Sequence, residues 1–439
     1  MLILLSVYLS FAIRQQVYID ILIYNTKASI LLLSTYLLSF AILDSHNFTD
    51  RFKSTSYFIH FLFTVLLGTI ILAIVFYFLK WRFGRGILLL NMFIVTLFSY
   101  FWRILFDTVF NLAQHPINLV IIGSGYAGRT MYDVLTSRNY GFKIVGFLDD
   151  DPALMSQNIG QQMVIGTSVM LTELVDKHAI DAVVVAVTHE KNPDLLKNIV
   201  EAKMKGIEIY FMPNLYEEIT GKLPVLHIGD GWLAYTNFKG VTSSPYTLYF
   251  KRAFDIFLSL CGLTFFSPII LFTAIAVKLE SKGPILYRQK RIGYNDKTFE
   301  LYKFRSMKMD AEEKGAVWAQ ENDPRVTLVG KLIRKTRIDE VPQMWNVLMG
   351  NMSFIGPRPE RPEFVALLKE EIPFYSYRHT VQPGITGWAQ VNYQYGASKK
   401  DALEKLQYDL YYIKNLSFFL DIHVLLKTVQ VVLFGKGAR

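Results

Sequence analysis

Along the first hundred positions, apolar residues come in long runs rather than at intervals. The runs are roughly Met1–Ile13, Ala28–Leu43, Tyr57–Leu79 and Ile87–Phe106. A helix rises about 1.5 Å per residue, so about 20 apolar residues cross a bilayer's hydrocarbon core. The third and fourth runs reach that length, the second is marginal and the first is short. The first run also lacks a basic leader and a small-residue cleavage site, which argues against a signal peptide. The pattern predicts a bundle of four spans over residues 1–110, with three as the fallback.

The pattern then changes. Asn118–Ile122 is a short β-like run, followed by Gly123-Ser-Gly125-Tyr-Ala-Gly128 and a helical stretch to about Ser137. Lys143–Phe147 reads as a second strand leading into Asp149-Asp150-Asp151-Pro152, and Ala182–Val187 as a buried parallel strand. Strands alternating with helices predict a doubly wound, Rossmann-like α/β domain over 115–215, then a connector over 216–246. Gly123, Gly125 and Gly128 form a G-x-G-x-x-G between strand and helix, which permits a tight turn and close approach of a phosphate. Asp149 stands where a ribose-binding carboxylate is expected, so NAD or another nucleotide could be held here without being required. Such a fold also serves as a scaffold. The three aspartates mimic a glycosyltransferase metal triplet, but their place before Pro152 reads as a solvated turn.

A third unit, 247–439, opens with Lys251-Arg252 and the apolar run Phe254–Val277, interrupted by Ser267-Pro268. Mid-helix proline removes a backbone hydrogen bond and crowds the preceding turn, at about 3 kcal/mol or more. A re-entrant hairpin over 251–278 is expected, with Lys251 and Arg252 holding lipid phosphates at its entry. A full crossing would separate two units that both look built for nucleotides. The short loop with Lys80, Arg82 and Arg85 opposes this topology, because four spans would place it outside. The tail Tyr408–Phe434 carries apolar residues at helical spacing around Lys414, Asp421 and Lys427, as in a helix on a membrane surface or one docked on a core.

Composition agrees with membrane attachment: 52% of residues are hydrophobic and the mean hydropathy is +0.27. The net charge of +9 is spread along the chain, and anionic headgroups and nucleotide phosphates suit it better than nucleic acid does. A single cysteine, Cys261, excludes a disulfide framework or a zinc site.

From Lys251 onward the motifs become dense. They run through Lys251-Arg252-Ala-Phe-Asp255, Gly283-Pro284, Gln289-Lys-Arg291-Ile-Gly293, Tyr302-Lys-Phe-Arg305-Ser-Met307 and Asp310-Ala-Glu312-Glu313. They continue with Asn322-Asp323-Pro-Arg325, Asp339-Glu340-Val-Pro342-Gln343, Gly356-Pro357-Arg358-Pro359, Arg378 and Pro383-Gly384-Ile-Thr386-Gly387-Trp388. This ordered series resembles the bacterial sugar transferases called polyprenyl-phosphate glycosyl-1-phosphate transferases. The upstream bundle and α/β unit look like the long forms that start exopolysaccharide synthesis. The resemblance implies a multi-domain membrane protein of the bacterial inner membrane. Its parts are an N-terminal helical transmembrane bundle, a Rossmann-like α/β domain and an α-rich cytosolic catalytic domain with a re-entrant membrane hairpin. It also implies a UDP-sugar and polyprenyl phosphate as substrates, membrane lipids as surroundings and UMP as product. A homodimer is compatible with this plan.

That reaction needs a nucleophile and a counter to phosphate charge, and these residue types supply both. A carboxylate can attack the β-phosphorus, and Mg²⁺ (or Mn²⁺) with arginines can neutralise the diphosphate. By resemblance Asp310 is the nucleophile and a metal contact. The second carboxylate is Glu312 or Glu313, with Glu313 sharing the face of Asp310 if the segment is helical. Arg305 is expected at a phosphate. Lys303, Arg325, Arg291, Pro357, Arg358, Pro359, Asp339 and Glu340 are expected around the substrate, and Trp388 in packing. Two other readings compete: a membrane-anchored NAD-dependent nucleotide-sugar dehydratase or epimerase using the glycine loop, and a non-catalytic assembly scaffold. The Tyr-x-x-x-Lys that the former needs occurs only as Tyr235…Lys239 and Tyr395…Lys399, both outside the glycine-loop domain.

Overall fold

A computed structural model describes residues 26–43, 55–79, 85–113, 116–138, 140–155, 157–187, 193–242, 245–308, 323–393 and 398–434, with residues 5, 6, 9, 10 and 396. The chain divides into two units, Met1–Pro116 and Ile117–Arg439. The first holds helices α1 (Thr26–Ile42), α2 (Thr55–Phe78) and α3 (Arg85–Ala113). Tyr57–Phe78 and Gly86–Phe106 are long and apolar enough to cross a membrane, whereas the apolar stretch of α1, Ile30–Ile42, is shorter. Of the run Met1–Ile13 only four residues are described, so most of the fourth expected span lies outside them. Gly68 brings α1 and α2 close: a Cβ there would stand 2.7 Å from the Ser39 hydroxyl and 2.8 Å from the Tyr36 ring. The Tyr36 hydroxyl donates to Asn91 Oδ1 at 3.0 Å, which pairs two polar groups inside the bundle.

The second unit begins with an α/β layer. Its elements are β1 (Ile117–Ile122), α4 (Tyr126–Ser137), β2 (Phe142–Leu148), β3 (Asn158–Ile159), β4 (Gln162–Gly166), α5 (Leu171–His178), β5 (Ala182–Val185), α6 (Pro193–Met204), β6 (Glu208–Phe211) and α7 (Met212–Thr220). They make one sheet of order β3-β4-β2-β1-β5-β6, parallel except for the β3–β4 pair. Leu119, Val120, Ile121 and Ile122 are all buried, because helices cover both faces of the sheet. The strand order reverses beside β1, which puts the glycine loop at the switch point of the sheet.

After α8 (Asp230–Tyr235) comes α9 (Lys251–Glu280), one continuous helix of 30 residues. Helical hydrogen bonding runs through Ser267-Pro268, and the reason is local. Proline lacks the N–H that would bond the Thr264 carbonyl, but the Ser267 hydroxyl donates to that same carbonyl at 2.8 Å. The helix keeps its acceptor satisfied and continues. Phe257, Phe265, Leu271 and Phe272 on α9 are exposed.

The hairpin β7 (Leu286–Ile292) and β8 (Thr298–Phe304) follows, then α10 (Leu328–Lys335), α11 (Gln343–Leu348), β9 (Ser353–Ile355), α12 (Pro362–Glu371), β10 (Gly384–Thr386), α13 (Trp388–Asn392), α14 (Lys399–Asn415) and α15 (Phe418–Phe434). β9 and β10 pair in parallel. The core gathers Ile355, Leu406, Leu410, Tyr412, Ile413 and Val424. α14 starts on a capping box, in which the Ser398 hydroxyl accepts from Asp401 N–H while the Asp401 carboxylate accepts from Ser398 N–H. α15 docks on this core through Val424 and Asp421, leaving Phe419, Val429 and Val432 exposed. The α/β layer joins the same core at α13 and α14: Glu217 accepts from Lys414 and Asn415, the Tyr216 hydroxyl donates to Gln407 Oε1 at 3.2 Å, and Trp388 Nε1 donates to the Gly221 carbonyl at 2.9 Å.

Candidate active site

In the β7–β8 hairpin, residues two apart share a face. Tyr287 pairs with Lys303, Gln289 with Leu301 and Arg291 with Phe299, so Tyr287, Gln289, Arg291 and Lys303 point inward together. Lys303 Nζ lies 3.2 Å from Glu340 Oε1, and Arg358 Nη2 lies 2.6 Å from the same oxygen. Arg291 donates to the Pro359 carbonyl at 3.0 Å and lies 3.5 Å from Glu360. Pro357 and Pro359 restrict the backbone on either side of Arg358, and Gly384 N–H donates to the Pro357 carbonyl at 2.9 Å. Five expected substrate-site side chains, Arg291, Lys303, Asp339, Glu340 and Arg358, thus converge with the Pro357–Pro359 loop.

The electrostatics follow from that crowding. Burial opposes the charge of Glu340, but Arg358, Lys303 and Arg337 outweigh it and hold the carboxyl well below its ordinary range. Burial, aided by Arg358 and Arg291, pulls the Lys303 ammonium down against the attraction of Glu340. Burial and the neighbouring Glu340 push Asp339 up. Asp339 Oδ1 is buried without a hydrogen-bond partner, an oxygen of the kind a hard cation takes. Counting Arg291, Lys303, Arg337 and Arg358 against Asp339, Glu340 and Glu360, these groups have one cation in excess, which suits a polyanionic ligand.

The catalytic carboxylates expected from sequence, Asp310, Glu312 and Glu313, lie outside the described residues. Both flanks of their segment are described. Lys308 N–H donates to the Arg325 carbonyl at 3.0 Å and Thr327 N–H to the Ser306 carbonyl at 3.1 Å, so the segment leaves and re-enters at one point. Arg325 stands at that closure with its guanidinium 2.6 Å from Asp323 Oδ2. Among the described residues no cluster of three or more His, Cys, Asp or Glu side chains could hold a metal.

Three cations expected at phosphates also bond to groups of the protein itself. Arg305 is buried and donates to the carbonyls of Ser281 (2.8 Å), Lys282 (3.3 Å) and Val277 (3.4 Å), closing the C-terminus of α9. The last carbonyls of a helix have no N–H partner and carry partial negative charge, so a guanidinium is drawn there. Lys251, expected at lipid phosphates, is buried, with Nζ 2.7 Å from Asp421, a carboxylate wholly removed from solvent. Arg252 donates to the carbonyls of Val347 (2.6 Å) and Leu348 (2.9 Å) at the end of α11. Trp388 packs as expected, stacked on Tyr411 with ring centroids 5.7 Å apart.

Sequence reasoning passed over Tyr287, Gln289 and the Arg378–Asp409 pair as site residues. Alternation along β7 signals the first two. Asp409 has no local signal beyond being an acid among buried Leu406, Leu410 and Tyr412.

At the glycine loop, Gly123 has φ +98°, which favours glycine, and a Cβ on Gly128 would stand 1.9 Å from the Gly123 carbonyl oxygen. Nothing lies within 4 Å of a Cβ on Gly125. Asp149 accepts from the backbone N–H and hydroxyl of Ser124, both at 2.6 Å. Partial burial opposes its charge, but these bonds and those from Asp150 and Asp151 hold its carboxyl below the ordinary range. Asp150 accepts from Ser168 and Asp151 from Ala153 N–H, so the first two aspartates tie this loop to its neighbours and the third caps the turn at Pro152. Tyr235 is 94% exposed, and Tyr395 lies outside the described residues.

Residues 246–435 match the family model described as bacterial sugar transferase, and residues 49–213 the one described as CoA-binding domain. The chain is 46% identical over 233 residues to a UDP-N-acetylgalactosamine-undecaprenyl-phosphate N-acetylgalactosaminephosphotransferase of Aeromonas hydrophila, covering 53% of this chain and 54% of that one. It is 34% identical to an undecaprenyl-phosphate glucose phosphotransferase of Komagataeibacter xylinus, covering 73% and 60%. To a UDP-glucose:undecaprenyl-phosphate glucose-1-phosphate transferase of Klebsiella pneumoniae it is 34% identical, covering 72% and 68%. The chain thus spans about half to two-thirds of the length of these relatives.

Proposed function

Because this chain belongs to the bacterial sugar transferase family, we propose that it moves a sugar-1-phosphate from a UDP-sugar onto undecaprenyl phosphate, releasing UMP. The observation that carries this reading is that Lys303, on the strand leading into the segment of Asp310, and Arg358 meet at Glu340, with Arg291 bonded to the Pro359 carbonyl beside them. Those cations match a diphosphate, and an arginine fixed between two prolines is already oriented when the donor arrives. An Asp310 carboxylate oxygen attacks the β-phosphorus, the bond from that phosphorus to the bridging oxygen breaks, and UMP leaves with the electron pair. An oxygen of undecaprenyl phosphate then attacks the aspartyl-bound phosphorus and restores the carboxylate. Asp310 with Glu312 or Glu313 would hold Mg²⁺ or Mn²⁺, which would neutralise diphosphate charge. Relatives named for N-acetylgalactosamine and for glucose both match, so the donor is a UDP-hexose or its N-acetyl form.

The lipid substrate dictates where this happens. α9 is about 45 Å long if straight, yet both its ends are tied to one catalytic core. Arg252 binds α11 near the start, and Arg305 binds the Val277 and Ser281 carbonyls near the end. A crossing helix would carry its ends to opposite faces, so this reading has α9 meet the bilayer from one side, the cytosolic face of the inner membrane.

Full-length protein in nanodiscs, given Mg²⁺, undecaprenyl phosphate and a panel of UDP-sugars, should release UMP with one of them, and Asp310→Asn should not. UDP in place of UMP would overturn the reading in favour of direct glycosyl transfer. Unchanged UMP release by Asp310→Asn would remove the covalent step.

A further inference from the structure

The Arg358 loop has a second support that none of the expected substrate residues supplies. Arg378 is 4% exposed and lies in the turn Tyr375–Thr380 after α12. Its Nη2 donates to the Arg358 backbone carbonyl at 2.9 Å and stands 2.8 Å from Asp409 Oδ2, while its Nη1 donates to the Tyr375 hydroxyl at 2.6 Å. One guanidinium nitrogen therefore joins a buried carboxylate on α14 to the backbone of the residue whose side chain meets Glu340. We propose that Arg378 and Asp409 form a positioning couple that sets the Arg358 loop for phosphate binding, and this rests on the function proposed above. A planar guanidinium carries three directions at once, to Asp409, Tyr375 and Arg358, and lysine cannot reproduce them. Asp409 sets the geometry because its place on α14 is itself held, two residues earlier, by Gln407, which meets Tyr216 and Leu223.

The couple is also open to protons. Arg378, Lys405, Glu360 and Tyr375 face Asp409, and burial pushes its carboxyl up to about 6 against the pull of Arg378 and Lys405. Below that pH Asp409 takes up a proton and Arg378 loses its anionic partner. The couple is therefore intact above about pH 6 and relaxes as the pH falls through it.

The test compares wild-type, Arg378→Lys and Asp409→Asn full-length proteins in nanodiscs, following UMP release against pH and backbone hydrogen exchange over residues 353–361. Misplacing a phosphate-binding arginine is worth about a hundredfold in rate. Both variants should lose that order in kcat at pH 7.5, and Asp409→Asn should show no acid limb near pH 6 because its amide does not titrate. In both, amides 353–361 should exchange faster, by about tenfold or more if the loop opens more readily by the worth of one charged hydrogen bond. Wild-type rates with an unchanged acid limb in Asp409→Asn would overturn the proposal, as would unchanged exchange over 353–361. If the wild type released no UMP, the assigned reaction would fall, while the exchange arm would still decide whether the couple holds the loop.

Discussion

The cations at the ends of α9 and those around Glu340 belong to one motif series yet have opposite fates. Lys251, Arg252 and Arg305 bond to protein acceptors: Asp421, the Val347 and Leu348 carbonyls, and the carbonyls at the end of α9. Lys303 and Arg358 share one carboxylate oxygen of Glu340. Charge type does not separate the two groups. Place in the fold does: the last carbonyls of α9 and α11 lack N–H partners and collect Arg305 and Arg252, whereas Lys303 and Arg358 meet at the side chain of Glu340. A long apolar helix with both ends fixed to one domain needs such clasps, and the family motif supplies them as basic residues.

Substitutions at the two sets should therefore fail in different ways. The largest effect is expected for Lys251→Met, which strands Asp421 in the core and should cost about 3–5 kcal/mol in stability, read as a fall in the denaturation midpoint. Wild-type stability for Lys251→Met would erase the distinction. Arg358→Ala should instead lower kcat/KM for UMP release about a hundredfold, about 2.7 kcal/mol, with a midpoint near wild type because Glu340 keeps Lys303. Arg305→Ala should destabilise by about 1.5–3 kcal/mol, the range for hydrogen bonds to a charged group, while folded enzyme keeps its rate within a few-fold. A hundredfold rate loss in stable Arg305→Ala would move Arg305 back to the phosphates.

The smallest effect is a slope. His379 lies beside Arg378, and its Nδ1 is 2.6 Å from Asp296 Oδ1. Burial first and the Arg378 charge second pull its imidazole down to about 4, against Asp296. The unfolded chain then binds a proton near pH 6.5 that the folded chain refuses, so this contribution is whole above about 6.5 and is lost as pH falls towards 4. Midpoints for His379→Gln should decline less over that window, and an unchanged slope would show that His379 is already protonated when folded.

Much of this protein is decided locally. Runs of about 20 apolar residues commit Tyr57–Phe78 and Gly86–Phe106 to membrane-length helices, because no other structure satisfies their backbones in hydrocarbon. The consecutive apolar strand β1, closed by Gly123 and Gly128, commits the next segment to a parallel sheet, since only glycine tolerates that turn and that approach. The family resemblance groups Lys303, Glu340 and Arg358, and the fold brings them together at one carboxylate oxygen.

Other features are settled only by tertiary contact. Proline at 268 looks like a break until the Ser267 hydroxyl is seen bonding the carbonyl it frees. Asp409 reads as one acid on an apolar helix, and its meaning depends on an arginine 31 residues away in the chain, brought to 2.8 Å by packing. Hydrogen-bond donors are visible in a sequence, but the acceptors that claim them are assigned when the chain closes on itself, which is why the same arginine can be a clasp in one motif and a ligand in the next.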